Sequence, residues 1–500
     1  MAKNLVRIFL TTVSLAVLAG TGVTAQLIPI RTIPVASGDQ FLTVPSQTLG
    51  MGGLTIAVDD PLADGWVNPA KGAFIRESAF LSAPTFYGIS DHGGGGKTFP
   101  VVGLFQGDAW FGGAALAVQQ IVNPDERWEI FIGPTFIRDT QPQRLRDVSS
   151  RNLYARGFIG RRVDSGPWSV GLGLSTSQLN AVDGVDLLYA GSDRIDQSGS
   201  ASDLRLGLYR TGERDRISLV GVYNSISMTH DVTWTDFLWG EESCSDPRGC
   251  RPVVRRRIEI NQDKTRTIGG HVNWDRDLDA PGWRIGATAT LNRKSHPKIP
   301  NYQIQNIPRD PGTTWAYEAG FGISRTRGET TFGIDVVLQP IWSETWQEAD
   351  ERITTGTGTV IQPGGRTIEN DFFFTNVIFK TGLSHQLGDA ELQAGLELRS
   401  YHYQLDQVNH IEGSFRDLEE SWMEWSPTIG AVLHLSDVDL RYTGRFTTGT
   451  GQPGIAWEWE EGAGPIATRA NDFIIAPSGP LTLQDVLVHT HQLSIRIPVH

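Results

Sequence analysis

The sequence predicts an all-β chain: a transmembrane, antiparallel, up-and-down β-barrel with an N-terminal hatch in its lumen. Three observations predict it: an exported start, repeated two-residue alternation, and connections that take turns between short and long. Lys3 and Arg7 precede an apolar run over 8–23, and Val23-Thr24-Ala25 ends in a small-x-small pattern, so residues 1–25 are expected to be a cleaved signal peptide. The apolar run is about 16 residues, short of the roughly 20 a spanning helix needs. No later stretch is long, apolar and uncharged, so any crossing of a bilayer falls to strands. In lipid, strands satisfy their backbone groups only in a closed barrel.

The alternation is cleanest in four places. Trp168, Val170, Leu172 and Leu174 interleave with Ser169, Gly171, Gly173 and Ser175, and Trp283 to Asn292, Phe332 to Gln339 and Glu391 to Arg399 behave in the same way. Such segments are strands with one apolar and one polar face. Short connections at 164–167, 212–215, 279–282, 327–329, 388–389 and 436–439 take turns with long polar stretches near 182–200, 235–253, 298–312, 349–365, 412–419 and 450–485. That is the pattern of a barrel with tight periplasmic turns and longer extracellular loops, and sandwiches with crossing connections do not produce it. Trp168, Trp283 and Trp342 fall near strand ends, where interfacial aromatic girdles lie. The final segment, 492–500, alternates as a closing strand, although Pro498 lacks a ladder donor and His500 replaces the common terminal aromatic residue.

The formal charge of -13 disfavours a nucleic-acid partner. The two cysteines, Cys244 and Cys250, flank a small loop containing Pro247 and Gly249, and in an oxidising compartment a disulfide is their expected use. No flanking ligand set completes a metal site around them. No nucleophile or metal motif stands out, so no enzyme activity, catalytic residue, metal or cofactor is expected. The run Asp91 to Thr98 superficially resembles a phosphate loop but has Asp91 where a Gly is needed, and it is expected to be an extracellular hairpin loop. Arg251, Arg255, Arg256 and Arg257 would meet anionic lipopolysaccharide or solubilise a strand entering water. Asp203, Arg205, Glu397, Arg399, Arg441 and Arg445 occupy polar faces and are expected to point inward, pairing with one another or with the hatch, or gripping a ligand carboxylate.

Residues 26–76 differ in kind: they are rich in Gly, Pro and Asp, without sustained alternation, and are suited to filling a lumen. Residues 77–500 are the expected barrel. Within 50–70 the chain reads Gly-Met-Gly-Gly-Leu-Thr-Ile-Ala-Val-Asp-Asp-Pro-Leu-Ala-Asp-Gly-Trp-Val-Asn-Pro-Ala, a Gly-rich run, the pair Asp59-Asp60, a spacer, then Asn68-Pro69-Ala70. This resembles the N-terminal hatch of the FadL/TodX long-chain fatty acid transporter family and its PorV-type relatives. The resemblance continues through 99–106 and 110–117 and weakly to 168–174; beyond about 180 only the general barrel pattern remains.

The resemblance implies fourteen strands, where the alternation alone counts about sixteen, and fourteen is the expectation adopted, within 12–16. It also implies capture of a hydrophobic ligand at extracellular loops, passage through an apolar lumen pocket past a gating hatch, and lateral exit beside a kinked third strand. Asn68, Pro69, Ala70, Asp59 and Asp60 are the corresponding hatch positions, and Gly112 and Gly113 are candidates for the kink, because Gly weakens a ladder. Three functions follow: passive uptake of hydrophobic small molecules such as long-chain fatty acids across the outer membrane; a PorV-like barrel that binds exported proteins for a secretion system; and a general porin, which predicts no hatch.

Overall fold

The computed structural model describes residues 26–32, 34, 36–90, 94–122, 149–163, 166–183, 194–238, 253–296, 311–349, 351–356, 358–451 and 483–499. The signal-peptide expectation at 1–25 and the Cys244–Cys250 expectation lie outside these residues, as do Asp91, His92 and Arg251. Strands β1 (Ala79–Ser82), β2 (Thr85–Ile89), β3 (Gly95–Gln106), β4 (Trp110–Val122), β5 (Ser149–Arg162), β6 (Trp168–Leu179), β7 (Arg194–Thr211), β8 (Asp215–Leu238) and β9 (Val253–Asp277) come first. They are followed by β10 (Trp283–His296), β11 (Gly312–Arg327), β12 (Thr330–Glu348), the small hairpin β13 (Ile353–Thr354) and β14 (Val360–Ile361), then β15 (Arg366–Leu387), β16 (Ala390–Asn409), β17 (Ser414–His434), β18 (Asp439–Gly449) and β19 (Val488–Pro498).

Seventeen of these strands form one antiparallel sheet that closes on itself. β1 and β2 are two halves of one stave, interrupted at Ala83-Pro84, and each half pairs with β19 on one side and β3 on the other. The ring therefore has sixteen staves, not fourteen. Each alternating segment keeps a stave of its own, as the two-residue period alone had counted. One expected loop also disappears. The stretch at 412–419 is largely strand, because β16 and β17 stay in register out to Asn409↔Ser414 and turn around Gly413, whose φ of 66 only glycine adopts freely.

The ring is polar inside and apolar outside. Leu116 and Leu206 are 67% and 61% exposed on the outer face, beside Val101, Leu174, Phe321 and Leu493. On the opposite parity of the strands, polar residues such as Asn292, Thr314, Asp335, Asn376, Thr443 and Thr490 are buried within. Water would drive this pattern the other way round, so the outer surface matches a hydrocarbon solvent.

Residues 26–76 run against inward-facing side chains from all around the ring. They begin beside β10, where Ile28 N–H donates to Asn292 Oδ1 at 2.8 Å and Asn292 donates to the Gln26 carbonyl at 2.9 Å. They end near the short turns, where Arg162 donates to the Ala73 carbonyl at 2.7 Å. Two apolar clusters hold the path. Ile28 and Ile30 lie among Phe374, Tyr401, Tyr403 and Trp422 toward the long connections, and Val44, Leu62, Trp66 and Ile75 lie among Leu81, Phe111 and Phe158 toward the short turns.

The segment approaches the wall where the wall has no side chains. Inward glycines stand opposite one another across the ladders in three rows: Gly160, Gly171 and Gly207; Gly286 and Gly322; Gly333, Gly382 and Gly395. A Cβ at Gly395 would lie 2.1 Å from Gly52 N, one at Gly382 2.2 Å from Met51 O, and one at Gly171 2.4 Å from the Pro69 carbonyl carbon. Gly286 and Gly322 make the same room for Ile56, and Gly333 for Leu54.

Gly395→Val is therefore expected to push residues 50–53 off the wall at a cost of about 1–3 kcal/mol or more. Limited proteolysis within 26–76 should accelerate while the ring stays folded, as read by its compact migration in unheated detergent gels. Gly221→Ala, at a position with nothing within 4 Å of the added methyl, should leave the proteolysis rate unchanged.

Candidate functional site: the N-terminal segment and the cavity beside it

The motif residues act chiefly as anchors. Asp60 is buried and staples the segment to itself: it accepts Ser46 Oγ at 2.6 Å and Gln47 N–H at 3.0 Å, and its Oδ1 accepts Ala63 N–H at 3.1 Å. Asp59 points the other way and bridges Arg284 at 2.8 Å and Arg216 at 3.4 Å, tying the segment to β10 and β8. Against partial desolvation, these two guanidinium groups hold the half-exposed Asp59 carboxyl below its usual range.

Asn68 caps the 3-10 turn Pro69–Phe74, accepting the Ala70 N–H at 3.0 Å while its amide donates to Ser218 Oγ at 2.7 Å. Pro69 at the first helical position has no donor to waste there. Ala70 offers its carbonyl to Ser169 Oγ at 2.9 Å. Pro69 and Asn68 sit over Gly171, Gly173 and Gly207, so the Asn-Pro-Ala motif is a fitting for a glycine-lined stretch of wall. In the Gly-rich run, Gly52 and Gly53 take φ of 72 and 70, ending the turn Leu49–Met51 so that Gly52 N–H can reach Thr428 Oγ1 at 2.9 Å.

Gly112 and Gly113 mark no bulge in β4. Its ladders to β3 and β5 pass through both glycines in register. The glycines instead make room for rings: a Cβ at Gly112 would lie 2.4 Å from the Phe105 ring, and one at Gly113 2.7 Å from the Phe158 ring. The interruption in this part of the ring lies at Ala83-Pro84, across from Phe99-Pro100, where two prolines withhold ladder donors.

The inward charges seen in the sequence pair with one another and with the segment. Arg205 meets Asp203 at 2.6 Å and donates to the Trp66 and Val67 carbonyls at 3.2 Å. Arg445 meets Glu397 at 3.3 Å and Asp39 at 3.4 Å, Arg399 also pairs with Glu397, and Arg441 donates to the Gln47 carbonyl at 3.2 Å.

Between the segment and the wall of β5–β8 lies a cavity of about 110 Å³. Leu27, Phe41 and Trp66 line it from the segment, and Tyr154, Phe158 and Ile226 from the wall, with Asp203, Arg205 and Asn224 as polar members. Trp66 packs edge-on against Phe158 at 4.8 Å between ring centres. Arg156 faces the cavity from β5, between Tyr154 and Phe158 on the same face, and among the described residues it has no hydrogen-bonding or ion-pairing partner. At the roughly 30 Å³ that a water molecule takes in the liquid, this is the volume of about four waters. None of Asp59, Asp60, Asn68, Pro69 and Ala70 lines it; the segment's contribution comes from three apolar side chains that the motif did not single out.

No family model matches the chain, and no curated protein matches it. Among solved structures it is similar to a Pseudomonas aeruginosa FadL homologue (11% identity, 93% of this chain and 100% of that one, TM-score 0.43). It is also similar to the Ralstonia pickettii toluene transporter TbuX (10%, 91% and 97%, 0.38) and to the open form of the ferric-catecholate import receptor Fiu of E. coli K12 (8%, 84% and 81%, 0.39). Likenesses at this level identify no family and assign no ligand.

Asp64 supplies a test of the segment's docking. Burial raises its carboxyl from 3.8 to about 6; Lys71, 3.3 Å away, opposes the shift and Asp60 and Asp59 add to it. A carboxyl raised on folding contributes stability that is fully present below pH 3.8 and is lost as pH rises through about 6. Proteolysis of residues 26–76 should accordingly slow between pH 7 and pH 5, and Asp64→Asn should flatten that dependence. A profile unchanged by the substitution would show that Asp64 does not couple docking to pH.

Proposed function

We propose that the chain is an outer-membrane barrel for the passive uptake of hydrophobic small molecules carrying an anionic end, of which long-chain fatty acids are the simplest class. The observation that carries this reading is the cavity itself: a pocket of aromatic and aliphatic side chains against the hydrocarbon-facing ring, with Arg156 on its wall. The carbons of an alkyl chain nearest its anionic end would gain burial against Leu27, Phe41, Trp66 and Phe158, at about 25 cal/mol per Å² of apolar surface removed from water, with the rest of the chain lying outside this cavity. A carboxylate would find in Arg156 a planar fork able to donate two parallel hydrogen bonds.

In this reading residues 26–76 are a hatch. Their anchors keep the lumen closed to polar solutes, which argues against a general porin, and the cavity lies along one flank. Release into the bilayer needs a place where the wall gives, and the interrupted stave at Ala83-Pro84 is the candidate. It adjoins the apolar cluster of Leu81, Val102 and Phe111 and needs fewer ladder bonds broken than any fully paired seam. No covalent chemistry is required.

Binding of a fluorescent long-chain fatty acid and of the alcohol of equal length to the detergent-purified protein tests this. The acid should bind more tightly, and Arg156→Gln should weaken it by roughly tenfold or more, toward the alcohol, as loss of a charge-assisted hydrogen bond implies. The alcohol should be unaffected. Equal binding of acid and alcohol to the unaltered protein, or no binding of either, would contradict the proposal.

A further inference from the structure

The outer face carries a second organised feature, at the short-turn rim. Trp110 stands directly across the ladder from Arg161, Trp168 from Arg210 and Trp283 from Arg325. In each pair the guanidinium lies over the indole, at 5.6, 6.0 and 5.0 Å from the ring centre. All six residues share the parity of the outward apolar positions; the first two pairs sit at the last outward rung before a short turn, and Arg325 lies one outward rung before Arg327, the last residue of β11. Toward the middle of the ring the same faces continue as Leu116, Leu172 and Leu206, which are exposed. Arg276, outward on β9 next to Asp215 at 3.7 Å, fills the interval between the second and third pairs.

The arrangement is one-sided. These arginines fall on β5, β7, β9 and β11, within the half of the ring from β4 to β11. From β12 round to β3, the outward residues nearest the short turns include Phe332, Leu387, Leu433, Leu440, Ile497, Phe80 and Phe105, and among the described residues no Arg or Lys joins them on these strands. Both halves present apolar surface to hydrocarbon, but only one adds fixed cations at its edge.

We propose that the short-turn rim from β4 to β11 is a binding surface for the phosphate headgroups of anionic phospholipids, with Arg161, Arg210 and Arg325 as the phosphate-binding groups. The inference rests on the reading of the ring as membrane-spanning, and needs nothing of the lumen cavity. An indole at headgroup depth and an adjacent apolar strand face supply the platform for the acyl chains. A guanidinium laid on that indole is restrained in orientation, so less freedom is lost when it grips a phosphate, and its planar fork suits two phosphate oxygens at once. The first two pairs lie on neighbouring hairpins, two strands or roughly 10 Å apart along the rim, so separate headgroups can be held side by side.

The test is native mass spectrometry of the detergent-purified protein titrated with phosphatidylglycerol or phosphatidylcholine of identical acyl chains. The unaltered protein should retain phosphatidylglycerol in preference. Removing each cation should reduce that preference roughly fivefold, the effect of one basic residue at an anionic surface. R161Q/R210Q/R325Q should therefore bring phosphatidylglycerol retention down to that of phosphatidylcholine, and the corresponding triple Lys variant, which keeps the charge without the fork, should fall between. The single variant R210Q supplies the measurement if the triple does not fold, with folding judged by compact migration in unheated detergent gels. Equal retention of the two lipids by the unaltered protein, or a preference that survives the Gln substitutions, would overturn the inference while leaving the barrel reading intact. A protein that stays folded and soluble without detergent would overturn both.

Discussion

Two stretches of polypeptide backbone come within hydrogen-bonding distance of each other only where side chains do not hold them apart. Around the short-turn half of the lumen the wall meets that condition by placing inward glycines opposite one another across successive strands, as at Gly333, Gly382 and Gly395. The path of residues 50–70 follows from it. Where the wall lacks side chains the segment lies flat, and its backbone groups find the polar residues that flank the glycines: Thr55 and Ile56 donate to Asp335, Lys380 donates to the Gly53 carbonyl, and Ser324 to that of Ala57. These contacts matter because irregular backbone removed from water without partners is costly. The polar inner face of the ring is thus a matched set of donors and acceptors for a segment whose own secondary structure is limited to the short helical turns Leu49–Met51, Asp64–Val67 and Pro69–Phe74.

The same constraint explains where free space remains. The segment is tied to the wall at Asp59, Asn68 and Ala70 toward the short turns, and at Gln26 and Ile28 toward the long connections. The flank bounded by Leu27, Phe41 and Trp66 touches β5–β8 through bulky apolar side chains, which keep the backbone away from the wall and leave the cavity between. Dense backbone contact on the glycine rows and loose side-chain contact at the cavity are two outcomes of one packing rule. In the proposed function, the first supplies the seal and the second the place where a small apolar molecule fits.

Much of the ring was legible in the sequence, because alternation at 168–174, 283–292, 332–339 and 391–399 is a direct consequence of having two solvents. The number of staves is legible in the same signal, which counts about sixteen segments, whereas the fourteen implied by the resemblance falls two short. The motif at 50–70 stood out, but its physical role depended on Gly171, Gly207 and Gly395, far away in sequence, whose significance lies in the register that brings them under it. Gly112 and Gly113 suggested a kink because glycine weakens a strand. The ladder through them is in register, and they make room for the rings of Phe105 and Phe158, contributed by neighbouring strands. β5 carries arginines on both faces, so composition gives no hint that Arg156 is the one that meets the cavity. Asp203 and Arg205 were assigned to the interior by parity, and they pair there with each other and with the segment.

The central claim is that residues 26–76, held on the glycine rows, close the lumen. The most direct test is single-channel conductance in planar bilayers, comparing the unaltered protein with one lacking residues 30–74. The account predicts no large ionic steps from the unaltered protein and steady, porin-like steps from the shortened one. Large steps from the unaltered protein, or none from a folded barrel without the segment, would contradict it.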